Sequence, residues 1–195
     1  MAEDVEQLIP RLENVSDFII AGHGMGAKIA QIVASGKHKG LIGLALINPV
    51  PASPWILSRP KMVKLYGSCE SKTEALAFAN GILSAYPGSL TVSDLDTIMP
   101  AIAIAGKSDS LISVQTVKDK VYDKIYGCLL VEVEDAGHLL PLERPKKLLE
   151  ELQAFVDACV DVRKHGDLRS GSLLYQGFCM ERELDQDKFM RTQGL

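Results

Sequence analysis

A chain of 195 residues, 47% hydrophobic and 24% charged, is long enough for one domain with a real core and too short for two sizeable ones. Its net charge of −4 gives no pull towards nucleic acid or an anionic membrane. A basic cluster at Arg163, Lys164, His165 and Arg169 is interrupted by Asp161 and Asp167 and reads as a solvated tail. No apolar run approaches the roughly 20 residues of a membrane helix, and the acidic, helical N-terminus is neither a signal nor a transit peptide. Cys69, Cys128, Cys159 and Cys179 form no CxxC pair. The expectation is a cytoplasmic protein with reduced, buried thiols, no metal site and no cofactor.

Residues 2–13 have helical composition, with Pro10 placed to kink or shorten the helix. Asp17 to His23 is a short apolar run that ends at a glycine-rich turn. Met25 to Ser35 follows as a helix, with Met25, Ile29, Ile32 and Val33 on one side and Gly36 as its cap. Leu41 to Val50, Ile98 to Gly106 and Leu129 to Val133 are almost unbroken apolar runs. Unbroken runs indicate strands buried on both faces, which means mainly parallel pairing with helices between. Pro51 to Asp96 is an insertion with helical stretches, clearest over Ser71 to Ala85, and no strand-like run. Ser113 can cap a helix carrying Val114, Val117, Val121 and Ile125, closed by Gly127. Pro145 opens a final helix with Leu148, Leu149, Leu152, Phe155, Val156 and Cys159 on one face. Beyond Cys159 the periodicity fades, leaving a short helix around Met180 to Met190. The fold class is α/β, with a core over residues 1–160, an insertion over about 51–96 and a partly irregular tail over 161–195.

Gly22-His23-Gly24-Met25-Gly26 stands between a strand and a helix that starts at once. It resembles the nucleophile elbow of the α/β-hydrolase family, G-x-S-x-G, in the G-H-S-M-G form of esterase-like and peptidase-like members. Both outer glycines, His23 and Met25 match; the middle serine is Gly24. Ala105-Gly106-Lys107-Ser108-Asp109 follows a buried strand, where the family places its acidic residue. Asp135-Ala136-Gly137-His138 resembles the histidine loop, and Leu142-Glu143-Arg144-Pro145 the E-x-P that opens the final helix. The order of nucleophile position, Asp and His is that of this family and not of trypsin-like or subtilisin-like enzymes. The resemblance covers residues 1 to about 160 and implies a mainly parallel sheet flanked by helices, with the 51–96 insertion as a helical cap.

The resemblance also implies roles. His138 would accept a proton from the nucleophile and return it to the leaving group. Asp109 would hold the imidazole in its tautomer. Met25 would give its backbone N–H to the oxyanion hole. Trp55, Phe78 and Tyr86 of the cap would contact a small organic ligand. Read without the family, Asp109 could simply cap the helix near Ser113, Asp135 competes as the partner of His138, and His23 is a packing residue.

Two departures bear on activity. Gly24 has no Oγ, so serine-type covalent catalysis is excluded at that position. Family members carry several strands before the elbow, whereas Ala2 to Val5 resembles the helix immediately before it. The expectation is therefore an N-terminally truncated sheet, with 17–23 as an exposed edge open to self-association or a partner. The function expected is that of a relative of small-molecule ester or amide hydrolases impaired as a serine hydrolase. Two alternatives stand beside it: a non-catalytic ligand-binding or interaction protein, and a His–Asp general-base enzyme without a covalent serine intermediate.

Overall fold

The computed structural model describes residues 1–52, 99–125 and 128–165. Within them the chain forms α1 (Ala2–Leu8), β1 (Phe18–His23), α2 (Met25–Ser35), β2 (Leu41–Ile47), β3 (Ala101–Gly106), α3 (Val114–Lys120), β4 (Cys128–Val133), α4 (Leu140–Glu143) and α5 (Pro145–His165). Short 3-10 turns occupy Ile9–Arg11, where Pro10 ends α1, and Tyr122–Lys124. The four strands pair in sequence order, β1-β2-β3-β4, and every pairing is parallel. The expected insertion helices, including Ser71 to Ala85, and the helix around Met180 lie outside the described residues.

Side chains of a strand alternate between faces, so each buried strand feeds two cores. Ala101, Ala103 and Ala105 of β3, with Leu44 and Leu46 of β2, face α2 and α3. Ile102 and Ile104, with Ala45, Ile47, Leu129 and Val131, face α5. The runs are continuous in sequence because both faces are covered. On the α2 side the helix surface is small: Ala27, Ala30, Val33 and Ala34 are buried, while Met25, Ile29 and Ile32 are only half-buried. The contact face is thus rotated from the expected one towards the alanines. Close approach is the reason, since a Cβ on Gly22 would run into the carbonyl of Gly26.

α3 is shorter than its apolar spacing suggested, ending at Lys120, yet Val117, Val121 and Ile125 are all buried through the following turn. Ser113 caps it, its Oγ accepting from the Thr116 N–H at 3.2 Å. Gly36 follows α2 in right-handed geometry, and the left-handed residue is Lys37 at φ 51°. α5 buries Leu148, Phe155 and Cys159 as expected, but Leu149 is 66% exposed and Val156 is also on its outer side. It continues six residues past Cys159, because Val162 still reaches the core. Arg163 in that extension pairs with Asp17 just before β1 at 3.0 Å, an exposed contact worth under about 1 kcal/mol. β1 and β4 are the two edge strands of the sheet among the described residues.

Cys159 is fully buried against β2, and burial pushes its thiol up to about 12 from an ordinary 9.0. The folded state holds this proton more tightly than the unfolded one. Its contribution is therefore complete below pH 9 and lost as pH rises from 9 towards 12. Urea midpoints taken at pH 8 and 10.5 should show a fall in stability of up to about 1.4 kcal/mol per pH unit above 9 from this group. Cys159→Ala should shed that part of the slope. An identical slope in the variant would locate the alkaline sensitivity elsewhere.

Candidate active site

The site gathers at the carboxyl ends of the parallel strands, where the loops after β1, β2, β3 and β4 converge. The β1–α2 turn consists of a single residue. Gly24 has φ 55° and ψ −117°, a conformation that side chains rarely adopt. Its N–H donates to the Ile47 carbonyl at 2.9 Å, and its carbonyl accepts from the Ala27 and Val50 N–H groups, each at 3.1 Å. The turn is therefore fixed on three sides by backbone alone. Met25 begins α2, where the first N–H groups have no intrahelical acceptor.

Asp109 lies in the loop after β3 with its side chain only 1% exposed. One oxygen, Oδ1, accepts from the N–H groups of Leu111 at 2.8 Å and Ile112 at 2.9 Å. The other, Oδ2, meets His138 Nδ1 at 2.8 Å. The carboxylate thus shapes its own loop and also engages the histidine, while the capping of α3 falls to Ser113. Asp135, the competing carboxylate, points to solvent at 86% exposure and lies 3.8 Å from Arg144. A carboxylate only accepts, so Nδ1 carries the hydrogen, and in the neutral imidazole Nε2 then keeps a lone pair. That lone pair faces Gly24: an ideal Cβ there would stand 3.2 Å from Nε2.

The backbone around His138 is held by groups from three other parts of the chain. Glu143 accepts from the N–H of Gly137 at 2.7 Å and of Leu139 at 3.0 Å, one carboxylate oxygen to each. This gives the E-x-P carboxylate a physical task, since it bridges the two residues flanking His138. Glu143→Gln keeps one acceptor and loses the other, so a stability loss of about 1–2 kcal/mol is expected in urea unfolding. No loss would mean that solvent satisfies these exposed N–H groups.

Asn48 is the residue that the sequence reading overlooked. It follows β2 at φ 41° and is 1% exposed. Its Nδ2 donates to the carbonyls of Gly137 at 2.7 Å and His138 at 2.8 Å, and its Oδ1 accepts from the Gly106 N–H at 2.8 Å. The available signal was a lone polar residue before a proline at the end of an apolar strand. His23, read as a packing residue, has Nε2 2.7 Å from the same His138 carbonyl, with the two rings 5.1 Å apart. A carbonyl only accepts, so His23 donates from Nε2. Trp55, Phe78 and Tyr86 lie outside the described residues. No group of His, Cys, Asp and Glu that could hold a metal occurs among the described residues. None of their helices is long and apolar enough to cross a membrane.

This fold and this convergence of loops are those of the α/β-hydrolase fold, and solved structures agree. The chain superposes on carboxylesterase CesB from Bacillus subtilis with a TM-score of 0.59 at 16% identity, covering 80% of this chain and 66% of that one. A hydrolase from Pseudomonas aeruginosa PA01 gives 0.59 at 20% identity, covering 80% and 70%. Serine hydrolase CCSP0084 from Cycloclasticus zankles gives 0.59 at 14%, covering 80% and 68%. The chain thus spans just under two thirds of the carboxylesterase's length. No protein-family model matches the chain, and neither does any curated protein. The chain is an α/β-hydrolase-fold protein with Gly24 at its strand-to-helix turn.

Proposed function

We propose that this chain is a relative of small-molecule ester or amide hydrolases in which the serine route is closed at Gly24 and the His138–Asp109 pair is kept. The observation that carries this reading is the 2.8 Å contact between Nδ1 and Oδ2, together with an Nε2 that addresses the turn where a nucleophile would stand. Structural likeness to esterases and hydrolases supports the choice of a small ester as ligand. The 51–96 segment serves in this reading as the cap, with Trp55, Phe78 and Tyr86 as its contacts to ligand. The hydrolase core in this reading runs from residue 1 through the end of α5 at His165, and the residues after it form a tail. Met25 supplies an oxyanion donor, and the cysteine pattern favours the cytoplasm.

A second reading is favoured by one observation. A pure binding protein has no need of a buried carboxylate set on an imidazole, or of the three clamps on the histidine loop. General-base chemistry without a covalent serine intermediate uses both. The first test is a fluorophosphonate probe, which reacts with activated serines. The parent should remain unlabelled at residues of this site, and Gly24→Ser should become labelled. Labelling of the parent at another serine, abolished by His138→Ala, would place the nucleophile elsewhere and overturn the reading.

A further inference from the structure

Gly24 differs from a serine by one hydroxymethyl group, and the structure shows where that group would lie. An ideal Cβ on Gly24 has His138 Nε2 at 3.2 Å and Cε1 at 3.6 Å, and beyond its chain neighbours it has no other described atom within 4 Å. The space over Gly24 is therefore bordered, among the described residues, by the His138 ring, with Nε2 its nearest atom. The imidazole cannot swing away easily, since Asp109 holds Nδ1 and Asn48 and His23 hold its carbonyl. Backbone around Gly24 is equally fixed by Ile47, Ala27 and Val50.

We propose that this space is a binding site for a small oxygen nucleophile, a short primary alcohol or water, which His138 activates for direct acyl transfer. The inference rests on the reading of the His138–Asp109 pair given above and adds the nucleophile and the place it takes beside Nε2. The alcohol O–H loses its proton to Nε2 as its oxygen bonds to the ester carbonyl carbon. The tetrahedral intermediate then expels the original alkoxide or phenolate, and the proton leaves Nε2 for that group or for solvent. An ester and an alcohol give a new ester and the departing alcohol, with nothing oxidised or reduced and no covalent enzyme intermediate.

The full chain with p-nitrophenyl acetate and increasing methanol tests this, reading methyl acetate by NMR alongside p-nitrophenol release. The expected result is protein-dependent methyl acetate that saturates with methanol and drops about 10²-fold in His138→Gln, in line with general-base contributions. Gly24→Ala should abolish the methanol dependence by filling the space with its methyl group. Because φ 55° strains any side chain, its fold is checked by circular dichroism, and His138→Gln carries the test if it is unfolded. Methyl acetate at the uncatalysed ratio, or unchanged in His138→Gln, would overturn the proposal. If the parent fails in this way while Gly24→Ser takes the fluorophosphonate probe, the nucleophile site falls and the hydrolase reading stands. If Gly24→Ser also fails, both fall.

Discussion

Gly24→Ser is expected to raise the hydrolysis of an activated ester by about 10³-fold or more over the parent. Restoring a nucleophile to an otherwise intact base and orienting carboxylate recovers effects that reach about 10⁶ when such a residue is removed from a working enzyme. The geometry favours the gain. The new Cβ lies 3.2 Å from His138 Nε2, so one staggered rotamer brings Oγ within hydrogen-bond reach after the ring gives a few tenths of an ångström. Strain opposes it, because a side chain at φ 55° costs on the order of 1–3 kcal/mol of stability. The melt should therefore fall while the rate rises, the opposite of an ordinary stabilising change. The double variant Gly24→Ser with Asp109→Asn should lose most of the gained rate, since an amide in place of the carboxylate favours the wrong tautomer. A well-folded Gly24→Ser that stays at the parent's rate would show that the site lacks more than Oγ. The oxyanion donor proposed at Met25, a kind of contact worth about 3 kcal/mol, is the first group to examine in that case.

Asn48→Ala is expected to cost about 3–5 kcal/mol in urea unfolding and to remove most ester activity from the Gly24→Ser protein. Three hydrogen bonds disappear at once: the Gly106 N–H loses its acceptor, and the carbonyls of Gly137 and His138 lose a donor. Each buried group left unpaired costs about 1–3 kcal/mol. The sum is a large share of a typical 5–15 kcal/mol stability. His23 still serves the His138 carbonyl, which keeps the loss below the full total. Asn48→Gly separates the two contributions, because it relieves the φ 41° backbone while losing the same hydrogen bonds. It should fall within about 1 kcal/mol of the alanine variant. A loss under 1 kcal/mol in both would mean that water replaces the amide, and that the histidine loop stands on Glu143 alone.

The two residues act at different points of one arrangement. Gly24 decides whether a protein oxygen stands before Nε2. Asn48 ties the end of β2 to the end of β3 and to the histidine loop, so it holds Nε2 in place without touching the reacting atoms.

The strands, the helices between them, the elbow and the order Gly24, Asp109, His138 were legible in the amino-acid sequence. Each of these rests on local signals: unbroken apolar runs, a glycine turn before a helix, and an acidic or imidazole residue directly after a strand. Tertiary structure decided everything that depends on partners distant along the chain. It set Asp109 and not Asp135 against His138, because burial after β3 aims one carboxylate inward while the other is left at 86% exposure. It rotated α2 onto its alanines and left Leu149 outside, since periodicity identifies an apolar face but not its width or the closeness of the opposing surface. It turned His23 from a packing residue into a donor for a carbonyl 115 positions away. It also revealed Asn48, whose contacts lie 58, 89 and 90 positions along the chain. Periodicity and turn chemistry act over a few residues, whereas a buried amide is satisfied by whichever backbone groups the fold brings beside it.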